Sequence, residues 1–192
     1  MTYNIQDYSM LIGMTGFSDE LLNTHFTLYQ GYVNNTNKTM DKLASMLAAG
    51  TQGTPEFAEL KRRFGWEFNG MRLHELYFEN MGGNGKLPDS SPLSSAINTN
   101  FGSYANWETD FKATASMRGI GWVILYSDPK SGKLFNQWIN EHDCGHPAGA
   151  NPIMVIDVFE HAFLTEYGLK RAAYIDAFLN NIDWKVAAER LV

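Results

Sequence analysis

Ile153-Met154-Val155-Ile156-Asp157-Val158-Phe159-Glu160-His161-Ala162-Phe163 is the stretch on which the reading of this chain turns. Its four opening residues are apolar and mostly β-branched or unbranched aliphatic, the pattern of a short buried strand. Asp157 follows the strand, and His161 comes one helical turn later. Both side chains are ligands for a borderline or hard metal, and an unpaired charge at the edge of a core is costly. Two readings stand on this segment alone. Either Asp157 caps the next helix and His161 is a core histidine, or the two form half of a metal site.

Working outward, two more strands precede this one. Gly119 to Tyr126 reads as a strand, Ser127 to Gly132 as a hairpin turn, and Lys133 to Ile139 as the partner. Asn140 to Ala150 is a loop carrying His142 and His146. Farther upstream the period changes to that of helices. Ser18 with Asp19 and Glu20 marks a helix start, and apolar residues recur from Leu21 to Leu47 until Gly50. Gly31 within this run is a local cost or a close packing point. Pro55 suits the first turn of a second helix running to about Met81, where Gly82, Gly83 and Gly85 end it. Residues 1–18 read as an extended arm, 94–117 as helical, and Tyr167 to Val192 as helical. The expected fold is α+β, with an N-terminal helical hairpin domain over 1–86 and a C-terminal α/β domain with a three-stranded antiparallel sheet over 87–192.

Composition narrows the chemistry. The 192 residues carry a net charge of −6, which gives no footprint for nucleic acid or an anionic membrane. No apolar run is long enough to span a bilayer, and no export signal opens the chain, so a cytoplasmic protein is expected. Cys144 is the single cysteine, so a thiolate cluster is excluded and any metal must be held by His and carboxylate. There are five histidines. His25 falls on the first helix and shares a face with Tyr32, since seven residues turn roughly 700°. His74 falls on the apolar face of the second helix, where a core histidine is the plain alternative. A di-iron site would need Glu-x-x-His motifs, which these histidines lack.

Asp157-Val158-Phe159-Glu160-His161-Ala162-Phe163 with Tyr167, Arg171 and Tyr174 resembles the signature of the iron/manganese superoxide dismutases. Tyr32-Val33-Asn34-Asn35, Phe68-Asn69-Gly70 with His74, and Gly119-Ile120-Gly121-Trp122 resemble three further blocks of that family, in the same order. The resemblance implies one Fe or Mn ion per subunit, held by His25, His74, Asp157 and His161 at the interface of the two domains. It implies superoxide as substrate and no organic cofactor. It also implies a homodimer, or a tetramer, with Glu160, Arg171, Leu28 and Leu164 at the subunit contact. Tyr32 takes the gateway position and His142 that of the donor to metal-bound solvent, with His146 as the alternative donor. Trp122, Phe78 and Phe159 are expected to wall the site.

Several positions depart from the family. Gly70 stands where many iron-type members carry a Gln one turn before the second-helix His, which leans towards manganese. Val155, just upstream of Asp157, is bulkier than the Gly common in manganese users, and iron is slightly favoured. Leu28 and Leu164 replace a His and a Tyr that meet across the dimer in most members, so an apolar contact is expected there. His25 lies one residue closer to Tyr32 than usual, so a regular helix should suffice where the family needs a bulge. The reading from another class is a metal-binding protein of the same fold that is catalytically weak or inactive.

Overall fold

The structure is a computed structural model and describes residues 2–191. The two long helices are α1, Asp19–Ala48, and α2, Pro55–Glu79, packed on each other as a hairpin. Their starts follow from local chemistry. The Ser18 hydroxyl accepts the Leu21 N–H with Asp19 and Glu20 in the first turn, and Thr54 accepts the Phe57 N–H with Pro55 opening the helix. Caps of this kind are worth about 1 kcal/mol each. α1 is α-helical without interruption from His25 to Tyr32, so the shorter spacing is met by a regular helix. Gly31 is exposed with open space where a Cβ would point, so it is a propensity cost and not a packing point.

The N-terminal arm does more than cover the surface. It is irregular to Tyr8 and then makes a 3-10 turn at Ser9–Leu11 and two further turns at Gly13 and Gly16, yet Tyr8, Leu11 and Phe17 enter the core. The Tyr8 ring lies 5.0 Å from Phe78 and 5.7 Å from Tyr29. Asn37 pins the arm by accepting the Tyr3 N–H at 2.8 Å and donating to the Tyr3 carbonyl at 2.9 Å. No period in this segment announces these contacts, because each apolar residue comes from an irregular stretch.

The helical region expected over 94–117 is two helices, α3 (Pro92–Phe101) and α4 (Tyr104–Ala115). Gly102 separates them at φ 83°, and Ser103 caps α4 by accepting the Asn106 N–H. A glycine in the left-handed region ends a helix at no steric cost. The expected C-terminal helix is likewise broken into α5 (Leu164–Tyr167), α6 (Arg171–Asn180) and α7 (Trp184–Glu189). Gly168 makes the first break, and at the second Ile182 bridges to Met81 while the Asp183 N–H reaches the Asn80 carbonyl. Val192 lies outside the described residues.

β1 (Trp122–Asp128), β2 (Lys133–Ile139) and β3 (Asn151–Asp157) form an antiparallel sheet in the order β2-β1-β3. The first strand begins at Trp122 and not at Gly119. Gly121 has φ 137°, and a Cβ there would lie 2.0 Å from the Ile139 carbonyl oxygen, so only glycine fits before the ladder starts. β1 is central and buried from Trp122 to Ser127, as a strand covered on both faces must be. Register then sets the site: Trp122 is opposite Asp157 on β3 and Ile139 on β2.

β3 is an edge strand, and α2 and α7 cover it. Asn80, fully buried just past α2, replaces the missing neighbour. Its Oδ1 accepts the Val155 N–H at 2.8 Å, and its Nδ2 donates to the carbonyls of Val155 at 3.2 Å and Tyr77 at 2.8 Å. Arg190 adds a second tie, donating to the Leu76 and Ile153 carbonyls and to Glu79. Replacing Asn80 by Ala leaves the Val155 N–H and two carbonyls buried and unpaired. Urea unfolding should show a loss of about 2–4 kcal/mol, and a loss under about 0.5 would show that Asn80 does not carry the edge.

Candidate metal centre

Four elements deliver one donor each to a single point. His25 comes from α1, His74 from α2, Asp157 from the end of β3, and His161 from a 3-10 turn at Glu160–Ala162. Their donor atoms all lie within 4.8 Å of one another. Asp157 Oδ2 sits 3.0 Å from His161 Nε2, 3.2 Å from His25 Nε2 and 3.6 Å from His74 Nε2. The other carboxylate oxygen, Oδ1, accepts the Phe159 N–H at 2.8 Å. The helix-cap reading is not met, since the 3-10 turn starts at Phe159 without a side-chain cap; Asp157 Oδ1 braces the bend before it while Oδ2 faces three imidazoles.

Protonation follows from the same contacts. Burial pushes the Asp157 carboxyl up, but the charge and hydrogen bond of His161 and the hydrogen bond of His25 outweigh it and hold it well below the usual range. Burial pushes His25 and His74 down. His161 is also opposed by burial, yet the Asp157 charge raises it. His74 Nδ1 donates to the Gly70 carbonyl, which leaves Nε2 as the free lone pair. That Nε2 is buried with no hydrogen-bond partner. A buried orphan acceptor costs about 1–3 kcal/mol unless something binds it. Three imidazole nitrogens and one carboxylate oxygen around such an orphan fit a first-row transition-metal cation.

Beside this cluster stands a directed chain of hydrogen bonds. Trp122 Nε1–H, which can only donate, gives its hydrogen to His142 Nδ1 at 3.0 Å. Burial lowers the His142 pKa to about 4, so the ring is neutral and its one proton sits on Nε2. That Nε2–H donates to the Tyr32 oxygen at 2.8 Å. The Tyr32 ring lies stacked on His74 at 5.2 Å.

A protein family described as iron/manganese superoxide dismutases, C-terminal domain, matches residues 89–190. The chain is 38% identical to the iron superoxide dismutase of Cupriavidus metallidurans, covering 92% of this chain and 89% of that protein. The chain belongs to the iron/manganese superoxide dismutase family. It is also 38% identical to the manganese superoxide dismutase of Haloarcula marismortui, over 90% of this chain and 84% of that protein. The iron superoxide dismutase of Aquifex pyrophilus is 37% identical, over 92% and 85%. Relatives named for each metal are thus about equally similar.

A Cβ on Gly70 would lie 2.5, 2.7 and 2.9 Å from atoms of the Tyr32 ring, so a side chain at Gly70 and the present Tyr32 are mutually exclusive. Trp122 packs on His74 at 5.0 Å, Phe78 on His25 at 5.0 Å, and Phe159 on His142 at 4.8 Å. Trp66, which the sequence pattern did not single out, also touches His142 at 4.7 Å, and the Arg63 guanidinium lies 5.2 Å from the Trp66 ring centre. A signal for it existed, since Trp66, Gly70 and His74 recur at four-residue intervals on α2.

The remaining candidates lie outside this cluster. His146 makes its bonds to Tyr126 and to the backbone of His142. Glu160 is exposed, Leu28 is half-buried on α1, and Leu164 is 43% exposed at the start of α5. Arg171 donates to the Gly119 carbonyl at 3.0 Å and lies against the Trp138 and Phe163 rings.

Two outcomes test this geometry. Gly70→Ala should lower stability by about 1–2 kcal/mol, because displacing the Tyr32 ring outweighs the better helix propensity of Ala; a stabilised variant in thermal unfolding would contradict the contact. His142, with its folded pKa near 4 against about 6.5 unfolded, binds its proton later in the folded state. Its neutral burial therefore costs stability as pH falls from 6.5 towards 4. Between pH 7 and pH 5, metal-free wild type should lose about 2 kcal/mol more in urea than His142→Gln, and equal losses would refute the assignment.

Proposed function

We propose that this chain is a superoxide dismutase whose single Fe or Mn ion is held by His25, His74 and His161 through Nε2 and by Asp157 through Oδ2. The observation that carries the reading is the convergence of those four donor atoms, with His74 Nε2 buried and unpartnered. When bound, the ion supplies one-electron chemistry between its +2 and +3 states, so that one superoxide is oxidised to O₂ and a second, with two protons, is reduced to H₂O₂. The bulky Val155 behind Asp157 leans the preference slightly towards iron.

The chain's own residues handle the protons and the solvent. Because His142 Nε2–H donates to the Tyr32 oxygen, the Tyr32 O–H is left free to donate to another acceptor beside the cluster. Burial raises the Tyr32 pKa to about 12, so the phenol keeps its proton at neutral pH. The pair supplies a proton to an anion arriving at the site, and His142 steadies the oxygen that gives it up. Trp122, Phe78, Phe159 and Trp66 keep bulk water from His25, His74 and His142, which strengthens the electrostatic contacts these make.

The site lies between the helical domain, residues 1–86, and the α/β domain, residues 87–192, and we assign a homodimer through Glu160, Leu28, Leu164 and Arg171. The exposure of Glu160 and Leu164 on either side of His161, whose own side chain is 29% exposed, supports a partner there. A cytoplasmic location accords with the sequence; among the described residues no helix is long and apolar enough to cross a membrane.

Protein reconstituted separately with Fe and Mn should bind one ion per chain and remove superoxide in stopped-flow assays, faster with iron. Asp157→Asn should cut metal content at least tenfold. Full occupancy without superoxide removal would instead favour an inactive metal-binding relative. Light scattering at a single-chain mass would remove the dimer.

A further inference from the structure

Between β2 and β3, the segment that carries His142 is strained and held at named points. Glu141, immediately before His142, is the one non-glycine residue with positive φ among those described, at 54°. That conformation costs about 1–2 kcal/mol for a residue with a Cβ, and it persists only where neighbours enforce it. An isolated antiparallel bridge between Asn140 and Cys144 closes the turn behind it. The second restraint is His146, whose Nε2 lies 2.8 Å from the His142 carbonyl oxygen and whose Nδ1 lies 2.9 Å from the Tyr126 hydroxyl.

Roles within this link are forced. A carbonyl oxygen can only accept, so His146 Nε2 carries a hydrogen. In the neutral ring Nδ1 then accepts the Tyr126 O–H. In the charged ring Nδ1–H donates to the Tyr126 oxygen instead, so the link survives either state. Tyr126 itself is buried in the central strand, opposite Phe135 on β2 and Pro152 on β3, just past a register shift in the β1–β3 ladder. His142 is thereby tied by its backbone to the sheet through His146 and by its ring to Trp122 at the start of the same strand.

We propose that His146 and Tyr126 are positioning residues that clamp the His142 carbonyl to the central strand, holding the strained turn at Glu141 so that His142 Nε2–H stays aimed at the Tyr32 oxygen. The consequence for turnover rests on the dismutase reading; the clamp itself does not. The sequence raised His146 only as a rival donor to the metal-bound solvent, and its bonds place it one step behind that role.

The test uses metal-loaded His146→Leu, His146→Gln and Tyr126→Phe. Leu keeps bulk but neither bond, whereas Gln can donate an amide N–H to the carbonyl and accept from Tyr126. In hydrogen-exchange mass spectrometry, His146→Leu should speed exchange across residues 140–150 at least tenfold while α2 is unchanged, and Gln should restore most of the protection. Turnover for superoxide should fall about tenfold in His146→Leu at unchanged metal content, with Gln within about threefold of wild type. Tyr126→Phe should follow the same direction with a smaller change. Wild-type exchange in His146→Leu overturns the clamp. Faster exchange with unchanged turnover overturns its part in the reaction. Wild-type protein that fails to remove superoxide overturns the dismutase reading alone, and the exchange result still decides the clamp.

Discussion

A carboxylate with no exposed surface, facing three imidazoles, is the constraint on which the rest of this molecule depends. Asp157 Oδ2 carries its charge in the middle of the protein, with His25, His74 and His161 within 3.6 Å of it. Such a charge is tolerated only when paired and hydrogen-bonded. Each partner arrives on a different element, so the hairpin, the sheet and the turn after it must all be in register for the charge to be met. The ties at Asn80 and Arg190, which lock β3 to α2 and α7, serve that register directly.

A second constraint is the direction of hydrogen bonds. An indole N–H cannot accept, and this one fact propagates from Trp122 through His142 to Tyr32, fixing which nitrogen holds the proton and which oxygen is free to give one. The chain of donors runs from the buried sheet outward. Gly70 makes room for its end, because the Tyr32 ring occupies the space that a side chain there would fill. The loop-borne imidazole and the missing side chain on α2 are thus two aspects of one packing solution, and either alone would leave a clash or a void.

Much of this was legible in the chain. Periodicity located α1, α2 and the three strands, because amphipathic helices and buried strands write their period directly into the order of apolar residues. Seven-residue spacing placed His25 and Tyr32 on one face, and α1 is regular between them. Asp157 and His161 were candidates from local pattern alone. Breaks were harder: Gly102 and Gly168 each divide what the apolar pattern joins, since a periodic stripe continues across a glycine whose backbone has turned left-handed. The burial of Tyr8, Leu11 and Phe17 was invisible for a related reason, as an irregular arm has no period to read.

By itself, then, the order of residues determined the element types, the helix caps, and a donor set limited to imidazole and carboxylate, because these depend on neighbours a few positions apart. Tertiary structure alone decided that Asp157 divides its two oxygens between a turn and a cluster, and that His142 and not His146 meets Tyr32. Those outcomes depend on which surfaces meet across intervals of up to 132 residues, the separation of His25 from Asp157. Only the register of β1 against β3 and the packing of α2 on that sheet sets such distances.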